Sequence, residues 1–200
     1  MAKGANTTVN TPVFIGNFPK LLEPGLNKLN NKMEYSVIAC FPKGADLSKL
    51  QAAAHQAAVE KWGADPAKWP KNLRNPFRDG KEKEKDDEET GKKFIPAPYE
   101  EGAKWINLKS EKKPGVVNQN VQQIIEKSEI YSGVKLIACV RAYAYSQAGN
   151  SGISFGLQAI QKVADGESIG GQVRAEDAFA PIDMPTDGPV NNAGAAGFFS

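Results

Sequence analysis

The sequence has 200 residues, with 25 basic and 23 acidic side chains, a formal charge of +2 and 40% hydrophobic residues. This is enough apolar material for the core of one domain, although 19 glycines and 13 prolines predict long loops. No apolar run approaches the roughly 18 residues of a membrane helix, and the polar first residues lack the apolar stretch of a secretory signal. Two cysteines in separate apolar runs do not make a disulfide framework. We therefore expect a one-domain protein of a reducing cytosol, without a membrane partner.

Charge is distributed unevenly along the chain. Residues from 165 onward contain six acids and one base, a net charge of −5, so residues 1–164 carry +7. A basic body with an acidic end is typical of proteins that handle nucleic acids. The acidic end is expected to compete weakly for a basic groove or to recruit a partner.

The first part of the chain predicts two strands and one helix. Alternating apolar residues indicate the strands, and proline, glycine and asparagine indicate the loop between them. Asp46 is expected to cap the helix, and Gly63 is expected to end it. The expected segments, in chain order, are disorder (1–12), a strand (13–18), a loop (19–31), a strand (33–41) and a helix (46–62).

The next part of the chain is rich in loops. Residues 69–80 interleave aromatic and basic side chains, which fits either nucleic-acid contact or a loop that its rings pin to the core. Residues 81–93 carry five lysines and six acids, so they are predicted to form a solvated, mobile hairpin tip or insertion. Strand character returns over Lys104–Ser110, where Trp105, Asn107 and Lys109 share one side.

The run V-K-L-I-A-C-V-R-A-Y-A-Y over residues 134–145 is a strong strand signal. Alternation along an extended strand divides it into an apolar row and a second row. Cations and rings in one row suit a groove for single-stranded nucleic acid, in which phosphates meet cations and bases stack on rings. The alternative is that the tyrosines cover a half-exposed sheet, because tyrosine is a common strand residue. The second row is Lys135, Ile137, Cys139, Arg141, Tyr143 and Tyr145.

The fold class follows from the number and order of these elements. A turn at 147–152 and a strand at 153–160 predict an antiparallel hairpin with the long strand. Residues 119–127 are left open between strand and helix. Five or six strands with one helix, and no alternation of strand and helix, favour a mostly β protein. We predict a small, highly curved antiparallel barrel with long loops.

No catalytic motif meets its own requirements. The G-x-S-x-G pattern at 152–156 lies within a strand, and the sole histidine, His55, precedes Ser154, whereas a nucleophile elbow needs a sharp turn and a later histidine. His55 and two separate cysteines do not have the spacing of a zinc site. The phosphate-loop pattern fails over residues 86–93. We predict a protein that binds rather than reacts, with no metal and no cofactor.

Several longer segments carry a family likeness. They are W-P-K-N-L-R-N-P-F-R-D-G (69–80), K-S-E-K-K-P-G-V-V (109–117), E-I-Y-S-G-V-K-L (129–136), G-I-S-F-G-L-Q-A-I-Q-K-V-A-D-G-E-S-I-G-G (152–171) and A-E-D-A-F (175–179). In this order and spacing the chain resembles the single-stranded DNA-binding proteins encoded by tailed bacteriophages. The resemblance implies an OB fold, a five-stranded barrel that binds single strands across one open face. It also implies a role in phage DNA replication and recombination in the host bacterial cytoplasm.

The resemblance and the strand alternation together give a set of candidate DNA contacts, in a domain expected over residues 13–179. The resemblance supplies basic and aromatic positions in the loop and turn motifs, and also Tyr131. The alternation supplies the others. The predicted DNA-binding residues are Arg74, Phe77, Arg78, Trp105, Lys109, Lys112, Lys113, Lys135, Arg141, Tyr143 and Tyr145.

Other partners are left open at this point. Residues 180–200 are expected to be a flexible tail that folds back on the groove or docks a replication or recombination protein through Phe198 and Phe199, with simple disorder as the alternative. Monomer and homodimer both remain open. The competing hypothesis for the whole chain is a phage structural or adaptor protein, whose aromatic sheet face contacts another protein.

Overall fold

Strands dominate the part of the chain that the computed structural model describes, which is residues 6–28, 30–147 and 149–170. One α-helix, α1, spans Ser48–Trp62, and short 3-10 turns span Pro66–Lys68, Gly80–Lys83 and Lys127–Glu129. The strands are β1 (Thr8–Asn10), β2 (Phe14–Asn27), β3 (Lys32–Phe41), β4 (Leu73–Arg74), β5 (Arg78–Asp79), β6 (Lys85–Asp86), β7 (Lys93–Phe94), β8 (Lys104–Ser110), β9 (Gly115–Val117), β10 (Lys135–Gln147) and β11 (Asn150–Ala164).

The five long strands pair around a ring in the order β2–β3–β8–β11–β10 and back to β2. If these strands are numbered one to five along the chain, the order is 1-2-3-5-4, which is the connectivity of an OB fold. Four seams are antiparallel, and β8–β11 is parallel. The seams β8–β11 and β10–β2 are short, so the ring is partly open. The prediction of a mostly β fold with one main helix is confirmed, and the antiparallel expectation holds at four of the five seams.

The alternation predicted for the long strand decides which side of β10 is inside. Its apolar row is buried from Leu136 to Ala142, Ala144 is only partly buried, and α1 packs against the same side through small side chains. Alanine at these positions lets the helix approach the sheet closely. The buried residues of β10 are Leu136, Ala138, Val140 and Ala142, and those of α1 are Leu50, Ala53, Ala54, Ala57 and Ala58.

Gly63 ends α1 as predicted, whereas the N-cap residue is Leu47 rather than Asp46. Asp46 Oδ1 accepts a hydrogen bond from Ser48 N at 2.9 Å, which satisfies a free N–H at the beginning of the helix. At the other end, Gly63 has a φ of 90°, a conformation that glycine adopts without steric cost, and its N–H donates to Val59 O. The helix is therefore confirmed within two residues of its predicted bounds.

Two expectations for the N-terminal region need correction. Residues 8–10 form β1, which pairs with β10 opposite Cys139–Arg141, so disorder over the whole of 1–12 is wrong. The loop expected over 19–31 is mostly strand, because β2 continues to Asn27 as the partner of β3. Register shifts on either side of Lys20 absorb Pro19 and Pro24, which cannot donate to a β ladder. The expectations for residues 180–200 and the boundary at 179 lie outside the described residues.

The remaining expectations concern the hairpins and the cysteines. β10 and β11 form the expected antiparallel hairpin over their full length, with register shifts between Lys135 and Leu136 and between Cys139 and Val140. The charged run 81–93 includes the hairpin β6–β7. Cys40 and Cys139 are both free thiols, and burial raises the pKa of Cys40 to about 12. Among the described residues, no helix is long and apolar enough to cross a membrane.

Candidate nucleic-acid interface

Three cavities adjoin one another along the outer face of β3 and β8. Their volumes are about 490, 590 and 340 Å³, and Asn107 lines all three. Asn107 lies opposite Ile38 in the β3–β8 register, on the face that points away from the core. We name this continuous surface the β3–β8 groove. Arg74 and Arg78 line its first cavity, Tyr143 and Tyr145 line its second, and Phe18, Lys20 and Lys28 line its third.

Two tyrosines of β10 border the middle of the groove. Tyr143 is 46% exposed and lies opposite Ser154 of β11. Tyr145 is half-buried and lies opposite Gly152. A Cβ at Gly152 would come within 2.6 Å of Tyr145 Oη, so the absence of a side chain there lets the tyrosine ring lie against β11. Tyr143 thus presents an exposed aromatic ring, and Tyr145 is a braced ring beside it.

Arg74 and Arg78 are held in fixed positions at the first end of the groove. Arg74 lies on β4, which pairs with β11, and its Nη2 donates to Asn150 Oδ1 at 2.9 Å. Arg78 lies 4.9 Å above the ring centroid of Trp105 and donates from Nε to Glu82 Oε2 at 2.6 Å. Both guanidinium groups are on exposed residues, so they remain accessible to an anion.

Trp105 is covered rather than open. It is 6% exposed, its Nε1 donates to Asp79 O at 3.1 Å, and Lys83 Nζ lies 4.5 Å from its ring centroid. Tyr99 and Cys40 pack against the same ring in a small cluster on the outer face of the sheet. A base can stack on Trp105 only if Arg78 or Lys83 moves away.

Residues 79–83 form a short segment that holds the side chains of Arg78 and Lys83 over Trp105. Asp79 accepts hydrogen bonds from Lys81 N at 2.9 Å and from Lys104 Nζ at 3.0 Å. The backbone N–H of Lys81 is the largest influence that lowers the pKa of Asp79 to about 2, followed by the Lys104 side chain. Lys83 belongs to the charged run 81–93, to which sequence reasoning assigned no role.

Glu34 is a carboxylate inside the groove. It is 8% exposed and accepts from Asn27 Nδ2 at 2.9 Å and Asn30 Nδ2 at 2.6 Å, while Lys109 Nζ lies 3.4 Å away. Burial acts to raise the pKa of Glu34, but the hydrogen bonds from Asn30 and Asn27 and the charge of Lys109 together lower it. Glu34 therefore stays ionised at neutral pH. It links the β2–β3 hairpin to β8 and partly neutralises the charge of Lys109.

The other predicted contacts lie beside or below the groove. Phe77 packs edge-on against the buried Phe155, with ring centroids 5.7 Å apart, which supports the loop from below. Lys112 and Lys113 are exposed on the turn after β8, beside the β2–β3 hairpin, where Lys32 pairs with Glu111. These two lysines therefore flank the groove without lining its three cavities.

Lys135 and Arg141 are exposed on the outer row of β10 but line none of the three cavities. Arg141 lies between Thr8 of β1 and Gly156 of β11. Lys135 is eight residues before Tyr143 on the same strand, or about 26 Å at a rise of roughly 3.3 Å per residue. Tyr131 Oη accepts a hydrogen bond from Gly166 N at 3.0 Å and so anchors the segment after β11.

Sequence reasoning missed several lining residues. Lys20 and Lys28 were hidden because their segment has the composition of a loop, and Lys61 because it lies at the end of a helix. The alternation along β8 placed Asn107 on the correct side of the strand, but an asparagine there did not by itself indicate a binding site. Within the described ranges, no group of three or more metal-ligating side chains converges on one point.

A partly open OB ring with a basic, tyrosine-bordered groove across its second and third long strands defines the class of this protein. In OB folds this face, together with the loops between strands one and two and between strands four and five, is where oligonucleotides bind. Here those connections are the β2–β3 and β10–β11 hairpins, and Asn27 and Gln147 from them line the second cavity. The geometry is that of a single-stranded nucleic-acid-binding fold.

The comparisons with known proteins place the chain within this class. The family model described as "Enterobacter phage Enc34, ssDNA-binding protein" matches residues 8–189. The chain belongs to this family. This match confirms the resemblance to phage single-stranded DNA-binding proteins that the sequence motifs indicated. No curated protein sequence matches the chain.

Solved structures share the fold at low sequence identity. The single-stranded DNA-binding protein of bacteriophage Enc34 matches with a TM-score of 0.61 and 18% identity, covering 90% of this chain and 97% of that chain. The same phage protein in complex with ssDNA matches with a TM-score of 0.63 and 18% identity, covering 85% and 97%. The single-stranded DNA-binding protein gp2.5 of bacteriophage T7 matches with a TM-score of 0.51 and 17% identity, covering 87% and 99%.

Proposed function

We propose that this protein binds single-stranded DNA along the β3–β8 groove, without sequence preference, during phage DNA replication and recombination in the host bacterial cytoplasm. The observation that carries the proposal is the continuity of the groove. Its three cavities share Asn107 and have cations at both ends and tyrosines in the middle. Family membership and the Enc34 structure with ssDNA support the same ligand.

Binding is explained by two kinds of contact. Arg74, Arg78, Lys20 and Lys28 neutralise phosphates and release counterions, which makes the affinity depend on salt. Tyr143 stacks on a base, and stacking is tolerant of sequence because every base has a π face. A duplex keeps its bases stacked on one another, so it offers the tyrosine no free base. The protein acts by holding and protecting the strand rather than by catalysis.

Two finer parts of the proposal concern partners. Residues 180–200 contain the acids Asp183 and Asp187 and end in two phenylalanines and a serine. We propose that they compete for the groove or dock a replication or recombination protein. The protein acts as a monomer or a homodimer, and sedimentation with and without DNA separates the two.

Intrinsic tryptophan fluorescence tests the proposed function. Trp105 borders the groove, whereas Trp62 and Trp69 lie together at the end of α1, with ring centroids 6.4 Å apart. A thymidine oligomer of about 30 nucleotides is longer than the roughly 4–16 nucleotides of one OB site. We expect it to change the fluorescence, and Trp105→Phe to abolish most of that change.

The titration is repeated with duplex of equal length and at several salt concentrations. Tight, salt-dependent binding to the single strand with weak binding to duplex is the expected result. Equal affinity for both would mean that charge alone acts, which contradicts the stacking contact. Absence of binding to either would contradict the proposal and favour the phage adaptor hypothesis.

A further inference from the structure

Phe18 is an exposed aromatic residue in an unfavourable backbone conformation. Its side chain is 65% exposed and its φ is 48°, in the left-handed region that bulky residues rarely adopt. Neither the exposure of the ring nor its backbone geometry helps the fold. Backbone strain of this kind is concentrated at sites where a side chain must be presented to a ligand.

Neighbouring segments hold Phe18 in this conformation. Phe18 N donates to Ser132 Oγ at 3.0 Å. Phe18 lies within the register shift between Asn17 and Lys20, where β2 departs from regular pairing with β3. Gly133 N donates to Gly16 O at 2.8 Å, which ties the same part of β2 to the segment before β10. The backbone that carries the ring is thus held in place by the segment before β10.

The ring lines the third cavity of the β3–β8 groove. This cavity, of about 340 Å³, is also lined by Lys20, Lys28 and Lys109. Among the described residues no carboxylate pairs with Lys20 or Lys28, and Glu34, which also lines the cavity, is already bonded to Asn27, Asn30 and Lys109. An aromatic ring beside unpaired cations is the combination that single-stranded nucleic acid requires.

We propose that Phe18 stacks on a base of the bound single strand and extends the DNA path from Tyr143 on β10 across β11, β8 and β3 onto β2. Lys20 and Lys28 contact the phosphates on either side of that base. The inference rests on the proposed function and deepens it, because it adds a contact on a strand to which sequence reasoning assigned no role. It also gives the site two separate aromatic positions, one at Tyr143 and one at Phe18.

Affinity as a function of DNA length tests this inference. We expect the wild-type affinity for thymidine oligomers to rise in a step, between roughly 4 and 16 nucleotides, once a strand reaches both rings. Phe18→Ala should remove this step and lower the affinity for long oligomers by roughly 5- to 150-fold, the range that corresponds to one stacked base. Short oligomers that fill only the middle of the groove should bind as before.

Further variants separate the ring from the backbone. Glycine accepts a positive φ without strain, so Phe18→Gly should lose the same affinity as Phe18→Ala with no loss of melting temperature. Phe18→Tyr keeps a ring and should bind as the wild type does. Phe94→Ala removes an exposed ring, 44% exposed on β7, that lines none of the three cavities, and it should leave affinity unchanged.

The outcomes distinguish this inference from the proposed function. If Phe18→Ala binds long oligomers as the wild type does while Tyr143→Ala is weakened, the extension onto β2 is wrong and the central groove stands. If both variants bind normally, the DNA path along the groove is wrong as well. If Phe18→Ala and Phe94→Ala lose affinity equally, a specific stack on Phe18 is contradicted.

Discussion

Removal of the negative charge of Glu34 should strengthen DNA binding while it destabilises the fold. The carboxylate lies within the β3–β8 groove, where it repels phosphates and holds Lys109 Nζ at 3.4 Å. Glu34→Gln keeps the size of the side chain and removes its charge. Lys109 is then free to contact the DNA, and the groove gains one unit of positive charge.

The magnitudes of both effects follow from the contacts. A charge-assisted hydrogen bond is roughly twice as strong as a neutral one, so weakening the three contacts of Glu34 should lower the free energy of unfolding by about 1.5–3 kcal/mol. A unit charge acting on a phosphate about 7 Å away is worth about 0.6 kcal/mol at the dielectric constant of water and about 2.4 kcal/mol at an effective value near 20. Salt screening over roughly 8 Å favours the lower figure, so we expect about a 3-fold gain in affinity at physiological salt.

Fluorescence titration and urea denaturation measure the two effects on the same variant. The matched control is Glu111→Gln, which removes the same charge from an exposed carboxylate paired with Lys32 outside the groove. It should change affinity less than Glu34→Gln and have little effect on stability. Weaker DNA binding by Glu34→Gln, or a gain no larger than that of the control, would refute the placement of the phosphates.

Three further predictions follow from other parts of the structure. Tyr143→Ala should lower DNA affinity by about 5- to 150-fold at an unchanged melting temperature, because the ring is half exposed and a stacked base is lost. The pKa of Asp79 is lowered from 3.8 to about 2, so its stabilising contribution is fully present above pH 4 and is lost as the pH falls through 2; the difference in melting temperature between wild type and Asp79→Asn should narrow below pH 4 and close below pH 2. Gly133 has a φ of 112° and its Cβ would overlap Glu167 O, so Gly133→Ala should lower the free energy of unfolding by about 2–4 kcal/mol, more than Gly44→Ala, where only φ is unfavourable.

The frame of the fold was predictable wherever side-chain alternation was regular. The apolar row of β10 is buried as predicted up to Ala142, and β8 has the predicted bounds, because each strand packs one face on the core. The second half of β2 was missed since Pro19, Pro24 and Gly25 have loop propensities. Tertiary pairing with β3 overrides those propensities through bulges, which single-residue patterns do not reveal.

The candidate site was predictable in its chemistry more than in its position. Tyr143, Tyr145 and Lys109 do come together, because β10 and β8 both pair with β11 in the OB ring. Lys135 lies on the same row as the tyrosines yet far along the strand, and alternation gives the face of a residue without its distance from a site. Phe18 was missed because its position depends on a strained bend in the backbone, and Lys83 because it belongs to a charged run. Neither feature gives a periodic pattern in the sequence.

Photocrosslinking tests the central claim, that the single strand lies along the β3–β8 groove. Thymidine oligomers that carry a photoreactive uracil are irradiated with the full-length protein, and the attached peptides are identified by mass spectrometry. We expect attachment at Tyr143 or Tyr145, at the middle of the groove. Attachment confined to the Trp62–Trp69 pair at the end of α1, or to the surface around Lys135, would contradict it.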